Sequence, residues 1–174
     1  MTTFPAGTVT GRVMTNAGRT RSFGAELSLR WNATEDLSFQ ASYGYANATF
    51  RKYNDGRYDY RGKRVPYSPS NTIFAMADWR IPRLGFLGIV PEISADVRGA
   101  GDIYWNEANT LKQNLYATAN LTVGFRAEEW NVKLWCKNLF NTSYDTFYFM
   151  SIGNSFVQRS QPRTFGVTFN MSLR

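Results

Sequence analysis

A side-chain period of two constrains this chain more than any other feature. Residues 22–31, SFGAELSLRW, place Phe23, Ala25, Leu27, Leu29 and Trp31 at odd positions and Glu26 and Arg30 at even ones. Successive side chains of a β-strand point to opposite faces, so one face of this segment is wholly apolar and the other carries both charges. The same alternation recurs at 37–45, 71–80, 92–98, 115–126, 131–137 and 165–173, and more weakly at 8–14, where Val9 and Val13 alternate with Thr8, Thr10 and Arg12. No charge falls on the apolar face of any of these eight segments. Arg12, Glu26, Arg30, Asp78, Arg80, Glu92, Asp96, Arg98, Arg126, Lys133, Lys137 and Arg174 all fall on the polar parity. The pattern predicts an all-β, up-and-down antiparallel sheet of about eight strands between an apolar and a wet medium.

Parity does not say which face is inward. A soluble barrel or sandwich buries its apolar set, and an outer-membrane barrel turns that set to lipid. Three features favour lipid. Aromatic residues sit near the ends of the apolar rows: Phe23, Trp31, Tyr43, Tyr45, Trp79, Phe125 and Phe165. The chain is 16% aromatic, and outer-membrane barrels gather aromatics in girdles at both interfaces. The polar rows are rich in Ser, Thr, Asn, Gln and Gly. The connections also alternate, with short ones at 32–36, 80–88 and 126–129 and long ones near 51–70, 99–113 and 141–162. The first connection, NAGRTRS, is the exception: it belongs at the long-loop end yet is short.

Composition removes much chemistry. There is no histidine, which excludes a Ser-His-Asp triad and imidazole metal sites. The single cysteine, Cys136, excludes an intrachain disulfide and a thiolate zinc cluster, and reads as a small apolar side chain. No cofactor, metal site or catalytic group is expected. The N-terminus, MTTFPAGTV, lacks a basic region followed by an apolar core, so an exported form is expected to be a mature or truncated piece. The net charge of +7 suits an anionic partner without naming one.

Several local features admit two readings. The loop RKYNDGRYDYRGKRVPY sets Arg51, Lys52, Arg57, Arg61, Lys63 and Arg64 against Asp55 and Asp59. It contacts either an anionic ligand or, as a solvated loop, the phosphates of lipopolysaccharide. Its interleaved arginines and aromatics would also suit RNA, but nothing else in the chain points to nucleic acid. The segment IYWNEANT, with Tyr104, Trp105, Glu107 and Asn109, either lines a ligand entrance or holds its own loop together. Glu92 and Asp96 share a face with Arg98, which suggests an ion network. Five N-x-S/T sequons, at Asn32, Asn47, Asn120, Asn141 and Asn170, are expected by chance in such a composition.

Taken in order, NAGRTRSFGAELSLRW, SYGYANATF, YRGKRVPYSPSNT, IYWNEANT, LWCKNLFNTSYD and QPRTFGVTFNMSLR resemble the C-terminal part of the barrel of TonB-dependent outer-membrane receptors. The most typical pieces are SFGAEL, the G-x-x-x-P-x-x-P segment at 62–69, KNLF followed by Tyr144, and PRTFGV at the last strand. The resemblance implies a barrel of about 22 strands filled by an N-terminal plug. It also implies import of a ferric siderophore or similar ligand, with energy delivered through TonB. On that reading residues 1–174 are barrel only, with no plug domain, and partner TonB only through missing N-terminal parts. The implied setting is the cell outer membrane, with lipid and lipopolysaccharide as neighbours. Arg57, Arg61, Lys63, Arg64, Tyr104, Trp105 and Asn109 become candidate ligand contacts in extracellular loops. Members of the family usually end on an aromatic residue; this chain stops one position short of that, at Arg174, on the polar parity.

Two other readings remain open: a free-standing eight-stranded outer-membrane barrel with a structural or adhesive role, and an outer-membrane enzyme, which the absence of histidine disfavours. The chain is expected either to be an open arc or to close on itself by pairing 8–14 with 165–173, since unpaired edges are costly in a bilayer. On closure the acids Glu26, Asp78, Glu92 and Asp96 would pair with arginines and lysines.

Overall fold

The computed structural model describes the backbone of residues 2–6, 9–13, 18–151 and 153–172. Among these residues thirteen strands form in chain order: β1 (Thr2–Ala6), β2 (Val9–Val13), β3 (Arg19–Asn32), β4 (Leu37–Lys52), β5 (Asn71–Arg80), β6 (Val90–Gly101), β7 (Ile103–Tyr104), β8 (Lys112–Gln113), β9 (Tyr116–Arg126), β10 (Trp130–Lys137), β11 (Asp145–Ser151), β12 (Asn154–Arg159) and β13 (Thr164–Met171). Seven of them make one antiparallel sheet in the order β13-β10-β9-β6-β5-β4-β3. Neighbours in that sheet are neighbours in the chain, once the short β7–β8 and β11–β12 hairpins are set aside as loop structure.

The register keeps the parity sets apart across the whole sheet. The row Phe39, Ala77, Ala95, Leu121, Cys136 and Phe165 runs from β4 to β13 on one face. The row Arg30, Gln40, Met76, Asp96 and Asn120 runs along the other. Phe23, Leu27, Phe39, Ile93, Leu121, Leu134 and Phe169 therefore share one surface, and Glu26, Arg30, Asp96, Arg98 and Lys133 share the opposite one.

Curvature decides which face is inward. The polar rows surround a hollow of about 1450 Å³, to which Asp78, Glu92, Asp96, Asn120, Lys133 and Thr168 all contribute from five different strands. The polar face is thus concave, and the apolar face is convex and bare: Leu27 is 72% exposed and Phe169 60%. Among the described residues, the few buried apolar side chains other than Cys136 are Phe50, Tyr53, Ile103 and Trp105, which lie where the long loops meet. The sheet has no apolar core of its own. An apolar surface of this extent has no place in water, and lipid supplies its missing neighbour.

The ends of the strands differ. The short turns are closed by local bonds: Ala33 N–H donates to Leu37 O at 2.9 Å and Ala127 N–H to Trp130 O at 2.8 Å. Between β5 and β6, Leu87 and Gly88 have φ of 50° and 77°, the two positive values a type I′ turn requires. On the concave face, Arg126 pairs with Glu92 at 2.7 Å and Arg98 with Asp96 at 3.1 Å, the expected ion network. Glu26 and Asp78 make no such pair among the described residues. Gly166 lies opposite Trp135, whose indole occupies the space a side chain would need there.

Closure by pairing 8–14 with 165–173 does not occur among the described residues. There β2 pairs with β1 in a separate hairpin, and β13 pairs with β10 alone. The sheet is an open arc whose edges are β3 and β13. Seven strands with the usual barrel curvature do not bring their edges together when the arc belongs to a wider circumference. The side-chain alternation around Val9 and Val13, the NAGRTRS turn up to Ala17, and the polar-parity position of Arg174 lie outside the described residues.

Candidate functional site

The long connections gather at one end of the sheet, opposite the short turns. Three connections, 53–70, 102–115 and 138–163, pack on one another and form a cap over the strand ends. Arg64 ties the first loop down. Its guanidinium donates to Asn47 Oδ1 at 2.8 Å, to Ala46 O at 3.0 Å and to Ser70 Oγ. Its backbone exchanges bonds with the second loop: Arg64 N–H donates to Asn109 Oδ1 at 2.7 Å, and Asn109 Nδ2 donates to Arg64 O at 3.0 Å. Asn109 holds φ at 58°, a conformation Asn tolerates better than most residues.

Tyr67 joins all three loops. Its N–H donates to Tyr104 O at 2.9 Å and its hydroxyl to Tyr148 O at 2.8 Å. Its ring stacks on Phe147 at 5.6 Å and tilts against Trp105 at 5.7 Å. Trp105 is buried, and its indole N–H is enclosed without an acceptor among the described residues. Tyr116, at the root of the second loop, stacks on Tyr144 in the third at 3.6 Å.

The root of the third loop is held by Asn138, a buried polar side chain with φ of 51°. Its Nδ2 donates to Thr142 O at 2.9 Å and Gln161 O at 3.0 Å, and its Oδ1 accepts from Thr142 N–H at 2.8 Å. This gives a physical role to the asparagine of KNLF: it clips the two ends of a 20-odd-residue excursion together, on the order of the loop lengths that need such a tie. That excursion is more ordered than a plain loop, because 145–159 forms the β11–β12 hairpin. Its aromatic and β-branched residues flank a turn containing Gly153 at φ 74°. Phe149 stacks on Phe156 across the hairpin at 4.9 Å, and both rings are partly exposed.

The tip of the first loop is a self-contained knot. Asp55 Oδ1 accepts from Arg57 N–H and Tyr58 N–H, each at 2.8 Å, and Asp55 Oδ2 accepts from the Tyr60 hydroxyl at 2.8 Å. These bonds, the Tyr58 amide first, hold the Asp55 carboxyl below its usual value of 3.8. Burial, reinforced by the Asp55 bond, pushes the Tyr60 hydroxyl up to about 12. A depressed carboxyl stabilises the folded tip above its ordinary value and loses that effect as pH falls. A raised hydroxyl stabilises below 10.0 and loses it as pH climbs towards 12. The tip is therefore expected to resist proteolysis evenly from about pH 5 to pH 9 and to loosen on both sides of that window. Asp55→Asn should abolish the acid limb of the profile; an acid limb that persists in that variant would assign it to another group.

The seven sequence-predicted contacts divide into two sets. Arg64, Trp105 and Asn109 are engaged inside the cap, with Tyr104 half-buried beside them under the Lys112 ammonium, 5.9 Å from its ring centroid. Arg57, Arg61 and Lys63 are exposed on the outer loop, Arg61 sharing an ion pair of 3.5 Å with Asp59. Sequence reasoning missed Tyr67, Phe147, Phe149, Phe156 and Asn138. The run DTFYFMS fell inside the connection read as a long loop at 141–162, and the structure makes it strand β11.

Comparison with known proteins agrees with this geometry. The sequence profile of the family "TonB dependent receptor-like, beta-barrel" matches residues 1–139. The pesticin receptor of Yersinia pestis is 26% identical over 167 residues, covering 93% of this chain and 23% of the relative. The crystal structure of the ferric yersiniabactin uptake receptor FyuA from Yersinia pestis superposes with a TM-score of 0.78 at 24% identity, over 90% of this chain and 24% of that one. The ferric-catecholate import receptor Fiu from E. coli K12, in its closed form, gives 0.69 at 24% identity, over 88% and 21%. The chain spans about a quarter of the length of the relatives it matches. A receptor barrel, and not an enzyme, is what the sequence led one to expect, the arc superposes on part of these receptors, and the family profile covers most of its length: the chain belongs to the TonB-dependent receptor β-barrel family.

Proposed function

We propose that this chain supplies wall and extracellular loops to an outer-membrane receptor that imports a ferric siderophore or a similar ligand. The observation that carries the proposal is the inversion of the sheet, with its charges on the concave side around a wet hollow and its bare apolar surface outward. That arrangement suits a pore wall in lipid. The plug and the segment that engages TonB would come from the rest of a longer receptor, so uptake is a property of the whole. The free-standing eight-stranded alternative needs β2 to pair with β13, a pairing the arc lacks.

Ligand contact is assigned to Arg57, Arg61 and Lys63, whose cations face outward on the first loop, with Arg64, Tyr104, Trp105 and Asn109 as the frame behind them. Cations suit a ferric complex carrying net negative charge. The test is uptake of radioiron-loaded siderophores by iron-starved cells, comparing the parent strain with a deletion. Loss of uptake for one ligand class, with the protein in the outer-membrane fraction, is the expected result. Unchanged uptake of every ligand would overturn the proposal.

A further inference from the structure

We propose that the outer rim of the convex face binds the phosphates of glycolipid headgroups in the outer leaflet, through Arg19, Arg21, Arg51 and Lys52. The proposal rests on the outer-membrane reading and adds to it a site on the lipid side of the wall, at the root of the first ligand loop, where Phe50 N–H donates to Lys63 O at 2.9 Å.

The rim is built where β3 and β4 leave the apolar band. Arg21 lies two residues beyond Phe23, on the same face, opposite Thr49. Its guanidinium carbon sits 5.8 Å from the Phe23 ring centroid. A β-bulge between Arg19 and Thr20 then sets Arg19 opposite Lys52 and leaves Arg51 as the extra residue between them. Four cations thus crowd one strand end, all exposed. None of them meets a carboxylate at ion-pair distance among the described residues, and the chain carries no acid before Glu26, which faces the other side. Several cations elsewhere do have a carboxylate partner: Arg126 with Glu92, Arg98 with Asp96, Lys112 with Asp102 and Arg80 with Asp36.

Depth supports the assignment. From Arg21 to Trp31 is ten residues, about 33 Å along a strand at roughly 3.3 Å per residue and about 25 Å along the membrane normal at the usual tilt. That is the height of the apolar band, so when Trp31 lies in the inner girdle, Arg21 lies at headgroup level outside. The long loops mark this end as outward. The far edge repeats the device: Arg163 stands two residues beyond convex-face Phe165, with its guanidinium carbon 5.8 Å from that ring centroid. At the short-turn end the convex strand positions hold Trp31, Leu37, Trp79 and Phe125, with no cation among the described residues. The asymmetry fits a bilayer whose outer leaflet alone is densely phosphorylated. Guanidinium forks match phosphate oxygens in pairs, and juxtamembrane cations add affinity one by one.

The experiment measures binding of bisphosphorylated lipid A, and of its monophosphorylated form, to the full-length protein in detergent micelles. One variant combines Arg19→Ser, Arg21→Ser, Arg51→Ser and Lys52→Ser. A control removes equal charge elsewhere, through Arg30→Ser, Arg83→Ser, Lys133→Ser and Lys137→Ser. The rim variant is expected to weaken bisphosphorylated lipid A binding about tenfold or more, with the control unchanged and the monophosphorylated form bound more weakly by the parent. Equal losses in both variants, or none in the rim variant, would overturn the site. Folding is read from the gel mobility of the unheated barrel. If the rim variant fails to fold, Arg21→Lys decides: a reduction of about threefold is expected, because it keeps the charge and loses the fork, and parent affinity would overturn the proposal. A protein that reaches the outer membrane and imports its ligand, yet binds lipid A independently of the rim, refutes this inference alone. Absence from the outer membrane would remove both.

Discussion

Asn138→Ala is expected to lower stability by about 2–4 kcal/mol and to release the third loop. The side chain is buried and makes three hydrogen bonds, to Thr142 N–H, Thr142 O and Gln161 O. Alanine strands those backbone groups, and it must also hold a φ of 51° that its Cβ disfavours. Asn138→Gly separates the two causes: it relieves the backbone and still loses the bonds, so it should recover only a minor part. The loss should appear as a lower urea midpoint and as new cleavage near Arg159, which the hairpin otherwise protects. The effect should also reach the lumen. Asn138 N–H donates to Asn120 Oδ1 at 3.0 Å, and Asn120 Nδ2 donates to Asp96 at 2.8 Å, so loop root and concave face share one network. Cleavage with no change in midpoint would confine the role of Asn138 to the loop.

Leu121→Arg is expected to cost about 2–4 kcal/mol when the protein folds into lipid, if this mid-strand position lies at the bilayer midplane. Leu121 sits halfway along β9 on the convex face, between Ala95 and Cys136, with no polar group in its row to receive a guanidinium. Thr122→Arg, one residue on, points into the concave hollow between Ser94 and Trp135, where water and carboxylates are at hand, and should cost much less. The pair is a parity test with composition held constant. Equal costs in vesicles would mean that the apolar face meets something other than a bilayer.

Much of the fold was legible because strand parity is a local property. Phe23, Leu27 and Trp31 declare a face whatever β3 packs against, since each peptide unit turns its side chain over. The same local rule placed Glu92, Asp96 and Arg98 together, and the ion pairs followed from that neighbourhood. The cap was legible only in part. Tyr104, Trp105, Arg64 and Asn109 stood out by type, yet what each one touches depends on three loops meeting. Tyr67 donates to Tyr148, 81 residues away, and no periodicity within either loop encodes that bond. The β11–β12 hairpin escaped notice because two short aromatic runs around a Gly turn look like loop until their pairing is seen.

By itself the sequence determined that the chain is a set of antiparallel strands with one face free of charge, and that the charged face would be wet. Only the tertiary structure decided that the charged face is concave, that β3 and β13 stay apart, and that the long loops share a single cap. Alternation is written residue by residue into the backbone. Curvature, closure and loop contact depend on how many strands share the circumference and on bonds between residues tens of positions apart, and those quantities exist only once the strands have paired.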